Sequence, residues 1–188
     1  MTTAPNPVLE TMRTRRVTRE FLDEPVSVED IRTILLAARL ASTAGARQIR
    51  RFLVIRDPAR IERLRPFAPG ILLGVPPALI VLSTDLEAAR TQNVQAPEDP
   101  SVWVDVGTAL AHMMLAAETL GLGSCPATSF SRSAVAEMLD FPETLVPELL
   151  LQLGRPAPKP PGGKGRMPGP TIAQLTEWET LGQSEPPA

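Results

Sequence analysis

Between Trp103 and Leu120, apolar side chains at Val106, Ala109, Leu110, Met113, Met114, Ala117 and Leu120 recur at three- and four-residue spacing. That spacing places them on one face of a helix. Ala111, Leu115 and Ala116 make the other face apolar too. A helix apolar nearly all round belongs in the centre of a domain or at a subunit interface. Gly121 and Gly123 are expected to end it. Ser124 to Ser129 then reads as a loop of small side chains, which lets a flat ligand approach backbone N–H groups closely.

The remaining pattern predicts further elements. Pro7 to Arg15 reads as a short helix with Val8, Leu9 and Met12 on one side. Ser27 is a suitable N-cap for a helix reaching about Leu40, with Ile31, Ile34, Leu35 and Ala38 facing inward. Arg51 to Arg56 reads as a strand, Ala59 to Leu64 as a short helix, and Ala78 to Thr84 as a strand buried on both faces. Asp85 to Pro100 is polar and reads as a surface loop. A helix capped at Ser131 or Ser133 runs to Leu139, and Glu148 to Leu153 is a third strand. Residues 155–170 are too rich in proline and glycine for helix or sheet and read as an extended arm. Thr171 to Leu181 is expected as a last short helix. The class is α+β, in one domain covering residues 1–188 without internal repeats.

Composition narrows the chemistry. The 188 residues suffice for one domain with a real core. A net charge of −2 gives no general argument for nucleic acid or a membrane surface. The single cysteine excludes an internal disulfide and suits a reducing, cytoplasmic setting. The first residues carry no apolar core of the signal-peptide kind, and no run is long enough to span a membrane. One histidine, one cysteine and no tyrosine argue against a zinc site or a Cys–His pair. His112 falls inside the long helix and reads as a packed or interface residue, and Cys125 as a small buried thiol.

Candidate chemistry is concentrated in a few stretches. Arg15, Arg16 and Arg19 make a local positive site, either a solvated basic turn or a phosphate-binding segment. Phe67 to Pro77 is either a connection crossing the core or a wall for substrate or cofactor. Neither a dinucleotide-binding glycine pattern nor a Walker loop is present.

Several ordered motifs carry a resemblance. Arg15-Arg16-Val17-Thr18-Arg19-Glu20-Phe21 resembles R-R-S-x-R-x-F, and Ala37 to Phe52 resembles A-A-x-x-A-P-S-x-x-N-x-Q-P-W-x-F. Asp105 to Phe130 resembles a D-x-G helix followed by L-G-L-G-x-C and a flavin loop. Leu153-Gly154-Arg155-Pro156 and Lys164-Gly165-Arg166 resemble a closing L-G-x-P turn and a late K-x-R pair. Together, over roughly residues 8–170, they resemble the FMN-dependent nitroreductase family.

That resemblance implies a nitroreductase-like fold, with a central, mostly antiparallel sheet flanked by helices, in an intertwined homodimer holding FMN between subunits. It implies that Arg15, Arg16, Arg19, Lys164 and Arg166 meet the FMN phosphate and ribityl chain, with Val17 offering only its backbone. It places Pro126, Ala127, Thr128 and Ser129 against the ring, with the Thr128 N–H donating to N5. Ser42, Thr43, Ala44 and Ala46 would approach from the partner subunit, and Gln48 would also bind the cofactor. No side chain is then needed as a catalytic group, because the flavin carries the redox chemistry. The implied activity is an NAD(P)H-driven ping-pong reduction of nitroaromatic or quinone-type small molecules. Two alternatives stand beside it: oxidation of peptides or cyclic dipeptides by a flavin dehydrogenase, and flavin binding without turnover. The second is motivated by Ala46, which stands where the family has asparagine.

Overall fold

The computed structural model describes residues 6–71, 73–158 and 169–183. Met1–Ala157 form one compact unit and Pro158–Ala188 another.

The first unit is built on four strands: β1 (Arg50–Ile55), β2 (Ala78–Asp85), β3 (Gly123–Ala127) and β4 (Leu145–Gly154). They lie in the order β1-β2-β4-β3, with every neighbouring pair antiparallel. The inner strands β2 and β4 are apolar on both faces, which is why each reads as a continuous apolar run rather than an alternation. Alternate residues of β2 face opposite layers. Ile80 and Leu82 join Leu149 and Leu151 under α2 (Val28–Leu40) and α5 (Pro100–Thr119), packing on Ile34, Ala38, Ala109 and Met113. Leu79, Val81 and Leu150 face α3 (Pro58–Leu64) and α6 (Arg132–Met138), packing on Ile61, Leu64 and Val135. The helix α1 (Pro7–Thr14) starts at Asn6, whose side chain accepts from the Val8 and Leu9 N–H groups, and buries no residue.

The sequence expectations hold for α1, α2, α3, α6, β1 and β2 to within one or two residues. In the first unit four segments differ. Asp85 to Pro100 is not an irregular polar loop: Asp85 Oδ1 accepts the Ala88 N–H at 2.8 Å and opens α4 (Leu86–Thr91). Ala89 and Val94 pack there with Ile49 and Val102 in a small core of their own. The long helix α5 begins at Pro100, earlier than expected, because Asp99 caps it and proline suits a first turn. Gly123 to Ala127 is a strand rather than the start of a loop. Small residues there lack strand propensity, and pairing with β4 decides the matter; Pro126 is tolerated because β3 is the outermost strand. β4 begins at Leu145 and, counting β3, is the fourth strand.

In the second unit the expected helix shrinks to α7 (Ile172–Leu175), where Thr171 and Gln174 form a reciprocal capping box. Trp178 lies beyond it. The helix buries no residue, and so short a helix has little to sustain it past one turn. The arm at 159–168, with Lys164 and Arg166, falls outside the described residues.

Between Leu82 and Ser83 the register of β2 on β4 shifts: Leu82 faces Leu149 and Ser83 faces Pro147. Glu148 is the extra residue of this bulge, a device that re-aims a side chain. Its buried carboxylate accepts the Thr84 hydroxyl at 3.0 Å and pairs with Arg132 at 2.8 Å. Arg132 in turn lies over the Trp103 ring, 4.7 Å from its centroid.

Candidate functional site

The basic segment leaves α1 and is laid along β3. Val17 bridges to Ser124 in parallel, and the Thr18 N–H donates to the Ser124 carbonyl at 2.9 Å. The approach is tight: a Cβ on Gly123 would lie 2.5 Å from Thr18 Cβ and Oγ1. The segment then meets the root of the proline-rich arm. Leu22 N–H donates to Arg155 O at 2.9 Å and Ala157 N–H to Glu20 O at 3.0 Å.

The three guanidinium groups differ. Arg15 lines a cavity of about 340 Å³ with Met12, Gly107 and Leu110, and its Nη1 is buried without a hydrogen-bond partner. Arg16 folds back on the end of α1, its Nη1 reaching the carbonyls of Arg13, Thr14 and Arg15 at 2.6, 2.8 and 3.0 Å. There it satisfies helix-terminal acceptors at the negative end of the macrodipole. Arg19 is exposed near Cys125. Burial pushes the Cys125 thiol up, and the Arg19 charge pulls the other way. Among the described residues, none of these arginines forms an ion pair with a carboxylate.

β3 delivers the chain to Thr128 and Ser129, both exposed. The loop beyond β3 is stiffened from behind. Gly70 N–H donates to Ser129 O at 3.0 Å, and Ser131 N–H to Phe67 O at 2.8 Å. The buried Gln152 amide donates to Gly70 O at 3.1 Å and to Cys125 O at 3.5 Å. The two loops touch so closely that a Cβ on Gly70 would sit 2.5 Å from Ala127 Cβ. The Phe67–Pro77 stretch is therefore a buttress in its first part. The Thr128 N–H has no acceptor among the described residues.

The turn at 41–47 is anchored elsewhere, on α5 and α4. Ala44 N–H donates to Asp105 Oδ1 at 2.9 Å, and Thr108 Oγ1 to Ser42 O at 3.1 Å. Arg50 donates to Asp105 O at 3.2 Å and to Ala41 O at 3.4 Å. Burial pulls the Arg50 guanidinium down from its ordinary value, and the Asp105 charge opposes that. Gln48 N–H donates to Gln92 Oε1 at 3.0 Å. Gly45 and Ala46 both take left-handed conformations, with φ of 61° and 57°. Ser42, Ala46 and Gln48 are exposed, and Thr43 and Ala44 half-buried. Among the described residues no hydrogen bond joins this turn to β3 or to the basic segment.

Of the residues singled out from sequence, Val17 and Arg19 are brought beside Ser124 and Cys125 of β3, which runs on through Pro126 and Ala127 to Thr128 and Ser129, whereas Arg15 faces α5 and Arg16 the end of α1. Ser42, Thr43, Ala44, Ala46 and Gln48 form a separate exposed turn. His112 is exposed in an apolar groove of about 440 Å³ with Val8, Met12, Leu40 and Leu115. Asp105, Gln152 and Gln92 were missed. Asp105 and Gln152 had a signal: Asp105 stands between Val104 and Val106, and Gln152 between Leu151 and Leu153.

The donor set on the sheet edge fits a planar group bearing a phosphate. Guanidinium forks match phosphate oxygens, and among the described residues Arg15 Nη1 is buried without a partner and the Thr128 N–H has no acceptor. No described cluster of histidine, cysteine and carboxylates suits a metal ion, and no described helix is long and apolar enough to cross a membrane.

Comparison with known proteins agrees. The chain is 34% identical over 154 residues to a putative NADH dehydrogenase/NAD(P)H nitroreductase of Archaeoglobus fulgidus, covering 79% of this chain and 84% of that one. It is 27% identical over 182 residues to a Bacillus subtilis FMN reductase (NADPH), covering 87% and 71%. The solved structure of B. megaterium NfrA1 superposes with a TM-score of 0.79 at 26% identity, over 93% of this chain and 75% of that one. The sequence profile of the nitroreductase family matches residues 12–155, three-quarters of the chain, and the chain belongs to that family.

Proposed function

We propose that the chain is an FMN-dependent oxidoreductase that takes hydride from NADH or NADPH and passes it to nitroaromatic or quinone-type acceptors. The observation that carries this is the basic segment hydrogen-bonded along β3, next to a strand that ends at a free Thr128 N–H. The family and the reductase named among its relatives support the same reading. In it, Arg15 and Arg19 neutralise the FMN phosphate, joined by Arg16 if it leaves its helix end. The family resemblance adds Lys164 and Arg166 to the cations that meet the same phosphate. The bound flavin supplies the hydride chemistry. The chain holds the ring in register through the Thr128 N–H, and the Gln152 and Gly70 contacts keep that donor from drifting.

A homodimer accompanies this reading. Val8, Leu9, Met12, Leu40 and Val104 are exposed, and Val8, Met12 and Leu40 line one apolar groove with Leu115 of α5, a surface suited to a second copy of the chain. The turn at 42–48 then reaches a partner's site rather than its own.

The test is direct. The purified protein should be yellow, absorbing near 450 nm, roughly where oxidised flavin does, and should oxidise NAD(P)H when a quinone or nitroaromatic is added. A colourless protein that does not bind added FMN refutes the reading. Tight FMN binding with no reduction by either nicotinamide would favour the non-catalytic alternative, for which Ala46 is the motive.

A further inference from the structure

Asp105 is 2% exposed, the one polar side chain among the buried residues of α5, and Arg50 is 9% exposed at the start of β1. Burying two charges is costly unless their hydrogen bonds are satisfied, so such a pair calls for a reason. Its bonds lead to one place. Asp105 holds the Ala44 N–H, Arg50 holds the Ala41 and Asp105 carbonyls, and Thr108 holds Ser42 from one turn further along α5. Directly after Ala44 the chain makes two successive left-handed residues, Gly45 and Ala46. Glycine takes that conformation freely; alanine is disfavoured in it because Cβ crowds the backbone carbonyl oxygen. The strained turn itself buries no side chain. A buried polar latch that maintains a strained, exposed turn presents a surface rather than fills a core.

We propose that Asp105 is a positioning residue of the cofactor site. Its carboxylate, with Arg50 tying the backbone carbonyls of Asp105 and Ala41 together, keeps the Ala44 N–H and with it the Gly45–Ala46 turn in the one shape that meets FMN. This rests on the FMN reading above. The chemistry is mechanical: no bond is made or broken, and Asp105 touches no cofactor atom.

The experiment titrates FMN into cofactor-free protein, following quenching of flavin fluorescence, for the wild type, Asp105→Asn, Asp105→Ala, Ala46→Gly and the double variant Asp105→Ala/Ala46→Gly. Hydrogen exchange at the Ala44 amide is read on the same cofactor-free samples. Removing a group that holds a binding element from behind commonly costs about ten- to a hundredfold in affinity. Asp105→Ala is therefore expected to weaken FMN at least tenfold and to expose Ala44 to exchange. Asp105→Asn, which keeps an acceptor oxygen, should recover most of the affinity. Glycine at position 46 removes the strain that the latch opposes. The loss on deleting Asp105 should accordingly be at least threefold smaller in the Ala46→Gly background than in the native one. A general loss of fold stability would give equal losses in both. Wild-type affinity within twofold in Asp105→Ala, or equal losses in the two backgrounds, overturns the proposal while leaving FMN binding intact. If Asp105→Ala does not fold, Thr108→Val takes its place; it should weaken FMN and speed exchange at Ala44, and wild-type behaviour in both overturns the proposal. A wild type that binds no FMN overturns both readings.

Discussion

Replacing Gly123 by alanine should dislodge the basic segment without touching any charged residue. The added Cβ would meet Thr18 Cβ and Oγ1 at 2.5 Å and Cγ2 at 2.6 Å. All three atoms belong to one short side chain near its own backbone, so the segment must retreat as a whole. Overpacking of this kind costs about 1–3 kcal/mol, and losing the hydrogen bond from Thr18 to Ser124 about 1 kcal/mol more. The smaller entropy of an unfolded alanine returns roughly half a kcal/mol, leaving a net loss of about 1.5–3.5 kcal/mol. With a urea dependence of roughly 2 kcal/mol per molar, the unfolding midpoint should fall by about 0.8–1.8 M. FMN affinity should fall with it, because Arg15 to Arg19 lose their seat. Thr18→Ala should not rescue the variant, since its Cβ remains at 2.5 Å. In a Thr18→Gly background, by contrast, Gly123→Ala should cost under about 1 kcal/mol, because the three atoms that come nearest to the added Cβ are gone. A midpoint shift below about 0.3 M for Gly123→Ala, or equal rescue by both Thr18 variants, would refute the packing argument.

Gln152→Leu keeps the volume but deletes both amide bonds to Gly70 and Cys125. It should cost about 1–3 kcal/mol in chemical unfolding and speed hydrogen exchange at Gly70 and Ser131; unchanged exchange would show that the amide does not brace the loop. Cys125 gives a pH signature. Its thiol is raised by burial, so the folded state favours the protonated form. The stability this contributes is fully present below the ordinary thiol range, roughly pH 8.5, and is lost as pH rises through the higher folded-state value. Cys125→Ala should flatten the decline of thermal stability on the alkaline side, and an unchanged slope would contradict the assignment.

The elements that were legible in the sequence were those whose residues decide their own conformation. β2 announced itself because Ala78 to Leu82 is apolar at every position, and α2 because Ser27 caps a regular stripe. The segments that were misread depend on partners distant in the chain. Gly123 to Ala127 has no strand propensity, and becomes a strand because β4 lies beside it and Thr18 closes over it. The Asp85–Pro100 stretch looked solvated because its apolar residues, Ala89 and Val94, are few; they are matched to Ile49 and Val102. At the site, basic residues and small-residue loops were visible as types. Their support was not: that Asp105 reaches Ala44 across 61 positions, or Gln152 reaches Gly70 across 82, is a property of the packed sheet and helices alone.

Covering β3 with the stretch after α1 does more than place arginines. An outer strand left open offers unpaired amides and carbonyls as a template for a strand from another molecule. Here Val17 and Thr18 supply a short hem along that border, and Pro126 removes one donor from it. A chain trimmed at its beginning past Thr18 should therefore fail first by sticking to its own kind, seen as turbidity at micromolar concentration while circular dichroism still reports helix and sheet. Shortening that spares Val17 and Thr18 should leave the protein clear in solution.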